Sequence, residues 1–299
     1  MKTEQRKPAP WLGVAFALGA TVIWSGNFVV ARELYETVSP AMLAFLRWIT
    51  ATLALAPVAA LPMWRERRII RKHMKYLLTT SFTGVTVFNT LLYLAARSTS
   101  ALNLSLIAIT APVFTLLFAR FLIGEPLTLG RAAGVALAAA GVAVLVTRGE
   151  FALLLSLHFS IGDLWMALAA VIFGLYTVLV RMRPRQLGQT SFLLATFVAG
   201  TIMLLPWTAW EALQYGIPEF NPALLVSVLY IGLGASLASY VLWTWAIEAI
   251  GPSRSGFIYY SLPLFSGLEA FFLLGEPVGV IHAVSGLLIL GGIVLATRG

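Results

Sequence analysis

The chain of 299 residues contains no cysteine, which excludes disulfides, thiolate nucleophiles and cysteine-based metal sites. Charge is also scarce. Only 11% of the residues are charged, against 60% hydrophobic, and the acids are the rarer sign, with 12 Asp and Glu against 20 Lys and Arg. A soluble domain of this length needs a polar shell, and so few charges cannot supply one. The three histidines, His73, His158 and His282, are scattered, His-Glu-x-x-His is absent, and no acids pair within the apolar stretches. Hydrolytic or metal-assisted chemistry therefore has no constellation to work with, and neither an enzyme nor a cofactor is expected. No ring of acids or carbonyl-rich filter motif favours a channel.

The remaining material is apolar, with a mean hydropathy of +0.90. It is cut into ten segments of about 20 residues, the length of a bilayer-spanning helix. The first five run from Trp11 to Ala31, Ala41 to Pro62, Tyr76 to Ala96, Ala101 to Ile123 and Arg131 to Thr147. The second five run from Ile161 to Val180, Ser191 to Trp210, Pro222 to Ile247, Ser255 to Leu274 and Gly279 to Thr297. The first segment has no small-residue cleavage site and reads as a helix, not a signal peptide. The expected fold is an all-α polytopic membrane protein of ten transmembrane helices.

A net charge of +8 would suit nucleic acid, but the basic residues form short runs between the apolar segments and read as a topology signal. With the N-terminus in the cytoplasm, that side receives sixteen of the twenty: Lys2, Arg6, Lys7, the six from Arg65 to Lys75, and Arg120, Arg131, Arg181, Arg183, Arg185, Arg254 and Arg298. Arg32, Arg97 and Arg148 fall opposite, and Arg47 lies inside the second segment. The protein is expected in a bacterial inner membrane with both termini on the cytoplasmic side, and no nucleic-acid partner is expected.

The halves, residues 1–149 and 150–299, resemble each other. At an offset of 149, Ile23 matches Ile172, Val29 matches Val178, Arg32 matches Arg181, Thr52 matches Thr201 and Pro57 matches Pro206. At an offset of 151, Pro112, Phe114, Ala119 and Phe121 match Pro263, Phe265, Ala270 and Phe272, and Gly124-Glu125-Pro126 matches Gly275-Glu276-Pro277. A repeat of five helices is odd-numbered, so the second copy enters the membrane from the opposite face. Inverted repeats around a central site are a recurrent architecture of secondary transporters.

These features resemble the drug/metabolite transporter superfamily in its EamA-type branch. The resemblance rests on Trp24-Ser25-Gly26-Asn27-Phe28, Pro40 with Phe45-Leu46-Arg47, Asn89 with Tyr93, Pro112, and the Gly-Glu-Pro turn before a glycine-rich fifth segment. Within that branch the chain is similar to YddG-type exporters of aromatic and other amino acids. It departs from them at Phe173, where a tryptophan is expected, and at Ala111, where an aromatic is expected; both changes enlarge a pocket. The resemblance implies export of small molecules by alternating access.

Candidate binding residues follow from chemistry. Trp24 and Phe28 share a helical face, as do Phe173 and Tyr176, and Tyr93 and Tyr259 extend the aromatic set. Such rings accept apolar side chains or hold an ammonium group. The alternative is ordinary packing and interfacial anchoring. Asn27 and Asn89 can serve a zwitterion or bond between helices. Pro112 and Pro263 interrupt the fourth and ninth segments and free a carbonyl four residues upstream.

Arg47 can neutralise a substrate carboxylate or pair structurally, and the second segment's expected peripheral place favours structure. Glu269 is expected toward an outer vestibule, with proton coupling as the alternative. Glu125 and Glu276 suit backbone capping at the starts of the fifth and tenth segments. The small residues of those two segments, including Gly130, Gly134, Gly291 and Gly292, suit packing within each repeat or a dimer contact. The partners expected are a small-molecule substrate and the lipid bilayer, for a monomer or weak homodimer. An exporter of a cationic drug or another metabolite is the second reading.

Overall fold

The computed structural model describes residues 9–34, 37–99, 101–150, 152, 160–274 and 279–299, without side chains at 28–33, 101–103, 105, 270–271 and 273–274. Lys2, Arg6, Lys7, His158 and the turn Gly275-Glu276-Pro277 therefore lie outside the described residues, as does the side chain of Phe28. Regular structure among the described residues is entirely helical. The elements are α1 (Pro10–Leu34), α2 (Pro40–Arg65), α3 (Met74–Ser98), α4 (Ala101–Ala108), α5 (Ala111–Ile123), α6 (Leu129–Val146), α7 (Ile161–Arg181), α8 (Gln189–Tyr215), α9 (Pro222–Ile250), α10 (Pro252–Tyr259), α11 (Leu262–Leu274) and α12 (Val280–Arg298). A short helix over Arg67–Lys72 occupies the basic loop after α2. Eight helical stretches among the described residues are long and apolar enough to cross a membrane: α2, α3, Leu106–Ile123, α6, α7, α8, α9 and α12.

Local chemistry sets the ends. Pro40 and Pro222 open α2 and α9 at positions whose N–H groups lack helical partners, and the Asn221 side chain accepts from Leu224 N. Asp163 accepts from Ser160 N at 2.6 Å to start α7. Gly124, at φ 71°, ends α5 in the left-handed region that glycine occupies without strain.

The packing is two-fold in pattern. α1 lies against α9 as α7 lies against α3, and α1 meets α10 and α11 as α7 meets α4 and α5. On the approximate axis, α2 packs antiparallel to α8 and α6 antiparallel to α12. The hydroxyls of Thr52 and Thr201, matched at the offset of 149, meet at 3.3 Å. Glu211 near the end of α8 accepts from Ala41 N and Met42 N at 2.8 and 3.2 Å, so it caps the start of α2. Glu66, just past the end of α2, accepts from Gly188 N at 2.9 Å at the start of α8. An acid at a helix start meets unpaired N–H groups and the positive end of the dipole.

The glycines of α6 and α12 join the two halves of one chain, which corrects the expectation of packing within each repeat. A Cβ on Gly134 would lie 2.4 Å from Ala296 N, and one on Gly292 would lie 2.4 Å from Ala138 N. Glu125 also differs from expectation. It pairs with Arg131 at 3.3 Å, while Thr128 accepts from Arg131 N and caps α6.

The turns that follow α2, α5, α7 and α9 meet one another at one end of the bundle, together with the chain terminus. The links are Glu66 with Gly188, Arg183 with Glu248 at 3.2 Å, Gly251 beside Glu125, and Thr128 donating to Gly299 O. This end carries the basic residues from Arg65 to Lys75 and Arg120, Arg131, Arg181, Arg183, Arg185, Arg254 and Arg298. Gly134→Leu is expected to destabilise the protein by at least about 1–3 kcal/mol by forcing α6 from α12. Gly286→Ala, whose Cβ would meet its nearest atom at 3.9 Å, is expected to be near neutral; thermal unfolding in detergent compares the two.

Candidate functional site

The centre of the bundle is built where two helices widen. Phe82–Val87 in α3 and Tyr230–Ala238 in α9 are π-helical, at matching places in the two halves. A π turn spaces hydrogen bonds one residue further and leaves carbonyls for other donors. Glycines permit the close packing this requires: a Cβ on Gly84 would strike the Tyr176 ring at 2.2 Å, and one on Gly232 would strike Thr50 at 2.6 Å.

The freed carbonyls are taken by side chains. Ala235 O accepts from Trp24 Nε1 at 2.9 Å and from Arg47 Nη2 at 3.0 Å. Gly84 O accepts from the Tyr240 hydroxyl at 2.9 Å. Arg47 connects the two π segments. Its Nε donates to Ser236 Oγ at 2.7 Å, and its Nη1 donates to Asn89 Oδ1 and to the Tyr93 hydroxyl, each at 2.8 Å. Asn89 Nδ2 in turn reaches the Tyr240 hydroxyl at 3.5 Å.

Arg47 is 1% exposed, at the centre and not at the periphery expected for the second segment. Its helix packs on the axis, which brings that side chain inward. Every acceptor it has among the described residues is neutral, so no carboxylate offsets its charge. A guanidinium carries five N–H donors, and four are used here, leaving one Nη2 N–H without a partner among the described residues.

Beside this guanidinium lies a tight crevice lined by Trp24, Asn27, Arg47, Phe88, Asn89, Leu92, Phe173, Tyr240 and Tyr259. Trp24 stands edge-on to Phe173, Tyr240, Trp243 and Tyr259, with ring centroids 5.1 to 6.0 Å apart. Such quadrupole-matched contacts pack rings densely and fix Trp24 in place. The side-chain oxygen of Asn27 is buried and has no hydrogen-bond partner among the described residues.

Five of the residues singled out in the sequence thus meet at the crevice: Trp24, Asn27, Asn89, Phe173 and Tyr259. Tyr93 sits behind it, bound to Arg47, and Tyr176 packs beside Gly84 and Tyr240 without lining it. Pro112 and Pro263 stand at the restarts of broken helices: α4 ends at Ala108 before α5, and α10 ends at Tyr259 before α11. The lining residues not anticipated are Phe88, Leu92 and Tyr240, with Arg47 considered but placed elsewhere. A signal for Tyr240 was available, since it lies at the offset of 151 from Asn89.

A helical bundle of membrane-spanning length, closed around a crevice that joins a buried cation to aromatic rings, defines a membrane protein suited to small-molecule passage. The chain belongs to the EamA-like transporter family of the drug/metabolite transporter superfamily, which it matches twice, over residues 11–147 and 160–298. It is 27% identical to an uncharacterized transporter of Archaeoglobus fulgidus over 92% of this chain and 94% of that one. It is 30% identical to a probable terminal-alkyne amino-acid exporter of Streptantibioticus cattleyicolor, over 95% of this chain and 93% of its relative. A crystal structure of another protein shares the fold, with a TM-score of 0.77 and 21% identity over 96% of each chain.

Arg47→Met removes the donor shared by four acceptors and is expected to cost on the order of 3 kcal/mol. Trp24→Phe loses one hydrogen bond and is expected to cost about 1 kcal/mol. Denaturation in detergent micelles measures both, and a smaller loss for Arg47→Met than for Trp24→Phe would contradict this account of the site.

Proposed function

We propose that the protein exports neutral amino acids, aromatic and others, through the central crevice. In this reading ten helices form two inverted five-helix repeats, 1–149 and 150–299, which rock about the site and open it alternately to the two faces. The observation that carries it is Arg47, a permanent cation with only neutral acceptors and one spare N–H, facing an aromatic crevice that also holds the unpartnered oxygen of Asn27. A substrate carboxylate supplies the missing anion at Arg47. The substrate ammonium then meets the Asn27 oxygen and the faces of Trp24 and Tyr259, and its side chain lies among Phe88, Phe173 and Tyr240.

The amino-acid exporter among the relatives supports this substrate class. The uncompensated guanidinium speaks against a purely cationic drug, which would bring a second positive charge to the same place. The end of the bundle rich in arginine and lysine is assigned to the cytoplasm of a bacterial inner membrane, with both termini there.

Counterflow in liposomes tests the proposal, with radiolabelled neutral amino acids as probes. Saturable exchange of an aromatic amino acid is expected, with competition by free amino acids and none by the corresponding amides, which lack the carboxylate. Trp24→Ala is expected to abolish exchange. Arg47→Lys is expected to raise KM about tenfold, equivalent to about 1.4 kcal/mol. Exchange of a cationic drug with no exchange of any amino acid would overturn the substrate class and leave the carrier architecture standing.

A further inference from the structure

The basic end of the bundle does not spread its charge evenly. Six cations fall in the run from Arg65 to Lys75: Arg65, Arg67, Arg68, Arg71, Lys72 and Lys75, all of them exposed. The acid within this run, Glu66, is spent on Gly188 N. The other described acids of this end are engaged as well, Glu125 by Arg131 and Glu248 by Arg183. Glu4, outside the described residues, is accompanied in the sequence by Lys2, Arg6 and Lys7, so its segment brings no net negative charge.

The run stands at the level of a lipid headgroup layer. Trp64 is an exposed ring on the last turn of the membrane-spanning α2, the position that interfacial tryptophans favour. The Arg67 guanidinium lies 4.8 Å from the centre of that ring and donates to Trp64 O at 3.0 Å. The short helix that follows, Arg67–Lys72, packs Ile69 and Ile70 against the core. Arg68, Arg71 and Lys72, spaced three and four residues apart, share another face. Like charges so placed repel one another, and an anion bound among them removes the repulsion.

α3 carries this surface on into the membrane. Lys75, Leu78, Thr79 and Phe82 recur at helical spacing along one side of it and are all exposed, while Leu77, Thr80 and Ser81 are buried. The Thr79 hydroxyl donates back to Lys75 O at 3.0 Å, which takes its polarity out of the stripe. From Lys75 to Phe82 the helix rises about 10 Å, so the stripe begins at a cation and continues apolar for two turns. A soluble anion or a nucleic acid would answer the charges and leave the apolar stripe unmatched. A phospholipid with an anionic headgroup answers both.

We propose that this surface is a binding site for an anionic phospholipid. Arg68, Arg71, Lys72 and Lys75 hold its phosphate, and an acyl chain lies along Leu78 and Phe82. Each cation at an anionic membrane surface adds attraction, so the site selects for headgroup charge. The lipid braces the first turns of α3, the helix that carries Phe88 and Asn89 to the crevice. The inference does not depend on which molecule the crevice carries.

Two measurements on the purified full-length protein test it. Phosphatidylglycerol with a photoreactive group in its acyl chain, in liposomes containing the protein, is expected to label the segment from Met74 to Phe82. Unlabelled phosphatidylglycerol is expected to suppress that labelling at least about tenfold better than phosphatidylcholine of the same chains. Native mass spectrometry from a neutral detergent is expected to find phosphatidylglycerol on the wild type and to lose it in the triple variant Arg71→Gln, Lys72→Gln, Lys75→Gln. A second triple variant, Arg120→Gln, Arg254→Gln, Arg298→Gln, removes the same charge from exposed positions at the same end and is expected to keep the lipid. Equal suppression by the two lipids, or no label between Met74 and Phe82, would overturn the site. Equal loss in the two triple variants would reduce the binding to bulk charge and overturn it too. Suppression by glycerol 3-phosphate as effective as that by the lipid would reveal a free-phosphate site and overturn the role of the acyl chain.

Discussion

The centre of the structure depends on holding one guanidinium inside an apolar bundle without a counter-ion. Burial of an unpaired charge is costly, and the cost is reduced only by dense, well-aimed dipoles. Arg47 obtains them from Ser236, Asn89, Tyr93 and Ala235 O, two of which lie on the widened turn of α9. Without that turn the Ala235 carbonyl would be committed to its own helix. The matching turn in α3 plays the corresponding part for Tyr240, through Gly84 O, and Tyr240 closes the circuit to Asn89. Irregular backbone within a membrane-spanning segment is tolerated where protein groups re-satisfy it, and here that re-satisfaction positions the site.

The few acids are placed with equal economy. Glu66 and Glu211 are spent on helix starts, Glu125 and Glu248 on arginines, and Glu269 on a serine. None of the five reaches Arg47 among the described residues. The acids stabilise the frame, and none of these five stands beside the positive charge at the crevice.

Much of this frame was legible in the sequence because membrane helices are written in length and hydropathy. The segment from Pro222 to Ile247 appears as Pro222–Ile250, and that from Tyr76 to Ala96 as Met74–Ser98. The aromatic and amide residues at the crevice were legible too, since Trp24, Asn27 and Asn89 stand out in apolar surroundings. What escaped was set by tertiary geometry. The π turns have no periodic signature beyond glycines such as Gly84 and Gly232, which equally suit plain packing. Arg47 was misplaced because its depth follows from α2 packing on the axis, a fact of assembly and not of local composition. Glu66 and Glu211 were passed over because each caps a helix more than a hundred residues away.

The reciprocal caps on α2 and α8 restrict how the halves can move. One cap stands at each end of this antiparallel pair, and the Thr52–Thr201 contact stands between them. Sliding α2 along α8 would pull both acids off their N–H groups at once, so shear is opposed at both ends. Tilting about the threonine contact would swing both ends sideways and part the same hydrogen bonds, so the caps hold the register and the crossing angle of the pair together.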